Sequence, residues 1–244
     1  MPLDKEEPVN SRPLTNYKVY VKKYEHLDKA TLEKIYRSRK NAFIDRRKWD
    51  IESYDGGDLE CDKYDNHDSV YLYTLNASSV TSCVRLRPST VPTLLSGPLK
   101  WLKAPSTLQE TETTSVWEAS RFFITPINEG TSRTKGTIDV RTVILFLGMI
   151  EFGLAKEIDK FEVVVDALMA RIVRRSGWKL DVLDAGTGTS HETIYYGLLD
   201  CSKESHQAIR RRIGTGLLPT VIASSLKEHT DIRNSGIEID PYYS

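Results

Sequence analysis

Apolar positions along the chain change their period several times, and each change predicts an element. Residues 1–16 offer little that a core could take up and read as a flexible N-terminal tail, with order expected from Tyr17 through residue 244 as a single domain. From Asp28, a suitable helix N-cap, Leu32, Ile35, Tyr36, Arg39, Ala42 and Phe43 recur at helical spacing, which places Arg39 one turn before Phe43 on the inward face. Residues 45–64 lose this period, are densely charged and contain Gly56-Gly57, so they predict a long loop anchored by Trp49. Two β-branched and aromatic runs, 70–75 and 80–86, flank Asn76-Ala77-Ser78-Ser79 and predict a hairpin. After a Pro-, Ser- and Thr-rich connection over 88–115, residues 116–125 read as a further strand.

Beyond it, residues 138–158 predict an amphipathic helix lying flat on a sheet, with Val140, Val143, Ile144, Leu147, Ile150, Glu151 and Leu154 along one side. Residues 161–165 form a short apolar run of the buried-strand kind. A helix over 168–176 is stopped by Gly177, a strand follows over 178–183, and a basic helix is expected over 202–213. The segment from Leu180 to Gly188 resembles the strand and glycine turn that open the nucleotide-binding sheet of class I methyltransferases. Too few residues follow Gly188 for the strand-helix units that fold requires, so its glycines read as a loop. The whole predicts an α/β fold with a mixed, mainly antiparallel sheet and helices on both faces.

Bulk properties narrow the choice of partners. Thirty-four basic against thirty-four acidic residues give zero formal net charge, so no global field draws the chain to nucleic acid or to an anionic membrane. The strongest apolar run, 143–150, is too short to span a bilayer, and the polar start lacks the apolar stretch of a secretory signal. Cys61, Cys83 and Cys201 have no metal-type spacing and the five histidines are scattered, so no metal site is expected and the cytoplasm is the expected compartment.

The candidate chemistry lies between Arg39 and Arg121. Arg39 and Arg85 sit in core-forming segments, where a guanidinium needs an anion close by, and Glu60, Asp62 and Asp65 are the acids at hand. A lattice of these groups would order the loop and leave one acid free to orient an amine. Trp49, a tryptophan in a charged loop, suits a lid or a stacking platform near Phe43. Regular alternation puts Glu118 and Ser120 on one face of their strand and Arg121 on the other, and a bulge would let them converge.

Taken together, Arg39, Phe43, Trp49, Glu60, Asp62, Asp65, Arg85, Glu118, Ser120 and Arg121 match in type and spacing the signature of the acyl-homoserine-lactone synthases, the LuxI-type autoinducer synthases, which this chain resembles over roughly residues 17–178. Arg171 to Trp178 also resembles a later helix and strand of that family. The departures are a longer N-terminal tail and a less recognisable stretch after Asp184. The resemblance implies a three-layer α/β/α sandwich of the GNAT-type N-acyltransferase kind. It implies transfer of an acyl group from a thioester to the amine of S-adenosylmethionine, then lactonisation with release of methylthioadenosine. S-adenosylmethionine is then a substrate, and no cofactor is implied.

Several residue roles follow from the resemblance. Glu118, Asp62 or Asp65 would accept the amine proton, with Ser120 and Arg121 beside them; Arg39 or Arg121 would clamp the substrate carboxylate; and Phe43, Trp49, Arg85 and Phe122 would border S-adenosylmethionine. Phe123, Leu145, Met149, Phe152, Val163 and Val165 would line the acyl pocket. In the family a threonine at the position matching Val163 favours 3-oxo acyl chains, and valine has no hydroxyl, so an acyl chain unsubstituted at the third carbon is expected. Arg171, Arg174, Arg175 and Lys179 form a candidate docking patch for an acidic acyl carrier protein, with coenzyme A thioesters as the other possible donors. The alternatives are a GNAT-type enzyme that acylates a different amine from acyl-coenzyme A, or a binding module.

Overall fold

The computed structural model describes residues 18–104, 111, 113–126 and 138–213, with the backbone of 220–223. Among these residues the chain begins with strand β1 (Lys18–Lys23), followed by helix α1 (Lys29–Arg39), whose N-cap Asp28 accepts the Thr31 amide. The helix runs on as a π-helical segment, Lys40–Arg46. The expected hairpin is present as β2 (Val70–Asn76) and β3 (Ser79–Pro88), and β4 (Val116–Ile124) pairs antiparallel with β3. Helix α2 (Val140–Ala155), β5 (Lys160–Asp166), α3 (Ala167–Ser176), β6 (Leu180–Thr187), β7 (Thr193–Asp200), α4 (Lys203–Ile213) and β8 (Thr220–Ala223) complete the order. Gly177 ends α3 at φ 93°, the left-handed cap its position predicts.

The eight strands form one sheet in the order β6-β7-β5-β4-β3-β2-β1-β8. Only β4 with β5 and β1 with β8 are parallel, so the mixed, mainly antiparallel α/β arrangement is as expected. Alternation along the strands sorts the side chains onto two faces. Val70, Leu72, Val84, Leu86, Phe161 and Val163 join α2 and α3 in the larger core, whereas Tyr71, Tyr73 and Cys83 pack with Ile35, Ala42 and Phe43 on the α1 side. The result is three layers.

Three expectations are corrected. Helix α2 is not half-exposed: every residue from Arg141 through Gly153 is buried, and the exposed residues are its last two, Ala155 and Leu154, the latter put inward by the one-sided pattern. The stretch read as a glycine loop continues as a strand, because β6 runs through Gly186 to Thr187 and pairs antiparallel with β7, itself unforeseen. The 88–115 connection is not a plain loop; Leu95 and Leu102 are buried against Ile194 and Tyr196, so residues 89–104 strap the sheet face beside β5 and β7. The predicted tail, residues 1–16, lies outside the described residues.

Candidate active site

The parallel ladder between β4 and β5 stops at Glu118 opposite Glu162. Beyond that pair both strands, residues 119–122 and 163–166, line a single cavity of about 890 Å³, a size suited to small-molecule substrates. The fork in the sheet is where the chemistry-bearing residues collect.

On β4 the register slips: Arg85 lies opposite Ser120, yet Cys83 lies opposite Phe123, so β4 carries one extra residue. Arg121 takes the slack in the left-handed region at φ 56°, a conformation costing a non-glycine residue roughly 1–2 kcal/mol. The bulge cancels the alternation that would have parted Ser120 from Arg121. Both side chains now reach the same charged lattice, and the phenylalanines divide, Phe122 tilting onto Phe146 in the larger core and Phe123 meeting Phe43 edge-on on the α1 side.

That lattice holds three guanidinium groups and three carboxylates. Arg39 donates to Glu60 through Nε (2.6 Å) and to both oxygens of Asp65 through Nη1 (2.8 and 2.9 Å). Arg85 donates to Asp62 (2.6 Å), Asp65 (2.7 Å) and the Ser120 hydroxyl (3.2 Å). Arg121 bridges Glu60 (3.0 Å) and Asp62 (2.8 Å), and the Tyr71 hydroxyl donates to Asp65 at 2.5 Å. Burial alone would raise the Asp65 carboxyl, but Arg39 and Arg85 prevail and hold it well below the usual carboxylate range. Asp62 is lowered in the same way, mainly by Arg85 and Arg121 working against its burial. Each arginine is thus neutralised within the protein, which is what permits burial of Arg39 and Arg85.

Glu118 is in a different state. It is 2% exposed and lines the cavity; Oε2 accepts the Leu95 amide (2.8 Å), while Oε1 makes no hydrogen bond among the described residues, although the Ser120 hydroxyl lies near enough to favour its charge. Burial is the main influence on it, aided by the neighbouring Glu162, and lifts its carboxyl above the ordinary glutamate range. A buried carboxyl with a spare oxygen on a cavity has the properties of a general base.

Two loops meet across the open end of the fork. The Thr189 hydroxyl donates to the Asp50 carbonyl (2.7 Å), Ser190 donates to the Lys48 carbonyl (3.3 Å), and Arg47 is salt-bridged to Asp166, which also caps α3. Lys48 and His191, in these loops, have positive φ like Arg121; the other such non-glycine residues, Ala77 and Glu157, lie in the β2–β3 turn and just after α2. Trp49 stacks on Phe43 at 5.3 Å, and the Arg47 guanidinium lies 4.9 Å from its ring centre.

The family model for autoinducer synthases matches residues 23–209. The chain belongs to the autoinducer synthase family. Among its relatives, an acyl-homoserine-lactone synthase of Pectobacterium carotovorum subsp. carotovorum is 28% identical over 201 residues, covering 80% of this chain and 86% of the relative. One from Rhizobium radiobacter is 29% identical over 187 residues, covering 76% and 85%. The fold matches that of BjaI, a coenzyme A-dependent acyl-homoserine lactone synthase solved with methylthioadenosine, at a TM-score of 0.71 and 21% identity, covering 87% of this chain and 96% of that one. The synthase LasI superposes at 0.64 with 20% identity, covering 84% and 98%. The chain is accordingly an acyltransferase of the acyl-homoserine-lactone synthase class.

Within this autoinducer synthase, the residues picked from sequence fall into four groups. Phe43, Trp49, Asp62, Glu118, Ser120, Arg121, Phe122, Met149, Val163 and Val165 line the cavity. Arg39, Asp65 and Arg85 do not; they stand behind its wall as the inner part of the lattice, so the carboxylate clamp expected of Arg39 is replaced by pairing with Glu60 and Asp65. Phe123, Leu145 and Phe152, expected in an acyl pocket, do not line the cavity: the bulge turns Phe123 to the α1 side, Leu145 is enclosed in the core, and Phe152 packs on Trp117. Arg171, Arg174, Arg175 and Lys179 are exposed at and beyond the end of α3, with Lys179 paired to Asp181. Sequence reasoning missed Arg47, Asp166, Met169, Val173, Glu192 and the strap residues Leu94, Leu95 and Leu99 that complete the lining. It also missed Glu162, an acid inside an apolar strand run, which is the same signal that marked Arg85.

Proposed function

We propose that the chain joins S-adenosylmethionine to an acyl group delivered as a thioester, then closes the homoserine lactone with release of methylthioadenosine. The reading rests on one observation: Glu118, buried, raised above the ordinary glutamate range and with Oε1 unbonded among the described residues, stands where β4 and β5 part to form a cavity of about 890 Å³. The ammonium group of S-adenosylmethionine loses a proton to Glu118 and attacks the thioester carbonyl; the thiol of the carrier leaves. Amides of β4 past Glu118 that face the splay have no β5 partner and are donors for the oxyanion. Holding both reactants in one cavity supplies much of the rate.

Polar and apolar lining divide the cavity between the substrates. Asp50, Glu52, Asp55 and Asp62, with Phe43 and Trp49, suit the sulfonium cation and the adenine; Phe146, Met149, Val163, Met169 and Val173 suit an acyl chain. Because the lattice arginines are paired with carboxylates of the protein, their work is to fix the acids and the Arg121 bulge rather than to carry net positive charge. Val163, at 5% exposure, offers no donor to a 3-oxo group, which favours donors unsubstituted there. The exposed arginines of α3 suit an acidic carrier protein, and coenzyme A thioesters are the other donor class. Incubation of the pure protein with S-adenosylmethionine and a panel of acyl-carrier-protein and acyl-coenzyme A thioesters, followed by mass spectrometry, should yield lactone and methylthioadenosine in equal amounts. Thioester turnover without methylthioadenosine refutes the proposal.

A further inference from the structure

Glu118 is not the only acid at the fork. Its register partner Glu162 is fully buried, and together they form the last cross-strand pair before β4 and β5 part. Two buried carboxylates side by side repel, and Glu162 works with burial to raise Glu118. The strap supplies the missing cation. Lys103, 7% exposed, places Nζ 2.6 Å from Glu162 Oε2 and 3.1 Å from the Thr111 hydroxyl.

We propose that the Lys103–Glu162 ion pair is a positioning device for the reaction: by neutralising the second carboxylate at the fork, it leaves Glu118 as the one acid there that exchanges a proton with substrate. The inference rests on the reading of Glu118 as proton acceptor. Glu162 is the more fully bonded of the two, since it also accepts the Ser89 hydroxyl (2.6 Å) and the Tyr196 hydroxyl (3.2 Å), whereas Glu118 accepts one amide. The groups facing Glu118 are Arg85 and Arg87 from β3, Glu162 from β5, the Leu95 amide from the strap and Ser120 on its own strand. Arg85 is committed to Asp62 and Asp65, and Arg87 donates to the carbonyls of Tyr64 and Pro92 and to Asn66, Asp68 and Ser69. Lys103 is therefore the cation whose removal acts on the glutamate pair. Without it the Glu162 carboxylate acts on Glu118 uncompensated and raises that group further. With Glu162 made neutral instead, the like charge next to Glu118 is removed and its charged form is favoured.

The two changes therefore act in opposite directions on one observable. In a pH profile of kcat/KM for methylthioadenosine release, Lys103→Met should move the acid limb upward by about one pH unit, a loss of about tenfold on the acid side that recovers at high pH. Glu162→Gln should move the limb downward, and Lys103→Arg should keep the wild-type limb. Glu162→Gln is isosteric and carries the test should Lys103→Met fail to fold. A wild-type enzyme that turns over while the folded variants share its acid limb overturns this inference alone. A wild-type protein that releases no methylthioadenosine from any donor overturns the role of Glu118 as well.

Discussion

Replacing Asp65 with asparagine tests whether the charged lattice is structural. Asp65 accepts two bonds from Arg39, one from Arg85 and one from Tyr71, and its side chain is 2% exposed, so Asp65→Asn leaves three buried guanidinium groups facing two carboxylates. Removing one partner from a buried charge network typically costs about 3–5 kcal/mol, because the remaining cation is neither solvated nor paired. At about 2–4 °C per kcal/mol for a domain of this size, the melting temperature should fall by roughly 6–20 °C. Asp45→Asn is the control, since the Lys40–Asp45 bridge lies at the surface and its loss should leave the melting temperature nearly unchanged. The pH dependence has a definite sign. The folded Asp65 carboxyl is lowered, so its contribution is complete above about pH 4 and fades as pH falls further; the gap between wild type and Asp65→Asn should narrow in that acidic window. The double variant Arg39→Met with Asp65→Asn restores neutrality and should lose less than the sum of the single variants, as urea unfolding at pH 7 can measure. Were Asp65→Asn to unfold within 1 kcal/mol of wild type, the lattice would be reachable by water and the account of buried charge would be wrong.

Three further outcomes follow from the site. Glu118→Gln keeps an oxygen for the Leu95 amide, so it should fold normally while kcat falls by about 10²–10⁴, and in the wild type the acid limb of kcat/KM should lie above the ordinary glutamate range because burial raises this group; a kcat within threefold of wild type removes Glu118 from the chemistry. Val163→Thr places a hydroxyl on the cavity wall and should shift the kcat/KM ratio towards 3-oxo donors by about 2–13-fold, the worth of one hydrogen bond, and an unchanged ratio in competition assays argues against contact at that position. Reversing charge at Arg174 and Arg175 should raise KM for a carrier-protein thioester several-fold at low salt, leave KM for S-adenosylmethionine alone, and lose its effect as salt is added; equal changes in both constants count against docking at α3.

Elements announced by strong local chemistry were legible from the chain. The Asp28 cap, the turn between β2 and β3, and the glycine that ends α3 are set by backbone preferences of neighbouring residues, and the structure has each where the pattern puts it. Arg39 and Arg85 were legible as buried charges because a guanidinium cannot be neutralised by giving up its proton. Their need for acids pointed to Glu60, Asp62 and Asp65, but not to the cross-pairing in which each arginine binds two carboxylates or more.

What escaped depends on contacts distant in sequence. β7 is a strand because β5 and β6 flank it on both sides, and Gly186 stays in β6 because that pairing outweighs a glycine's preference for turns. The solvent-free surroundings of α2 come from helices and strands that arrive before and after it. The bulge at Arg121 is a slip of register against β3, and it alone decides that Phe122 rather than Phe123 meets the cavity. Sequence by itself therefore determined the fold class and the cast of charged and aromatic residues, since periodicity and the cost of burying charge act locally. Only the tertiary structure decided which of those residues line the cavity and which stand behind its wall, because one inserted residue on β4 sets the geometry at the fork and a strap distant in sequence brings Lys103 to Glu162 there.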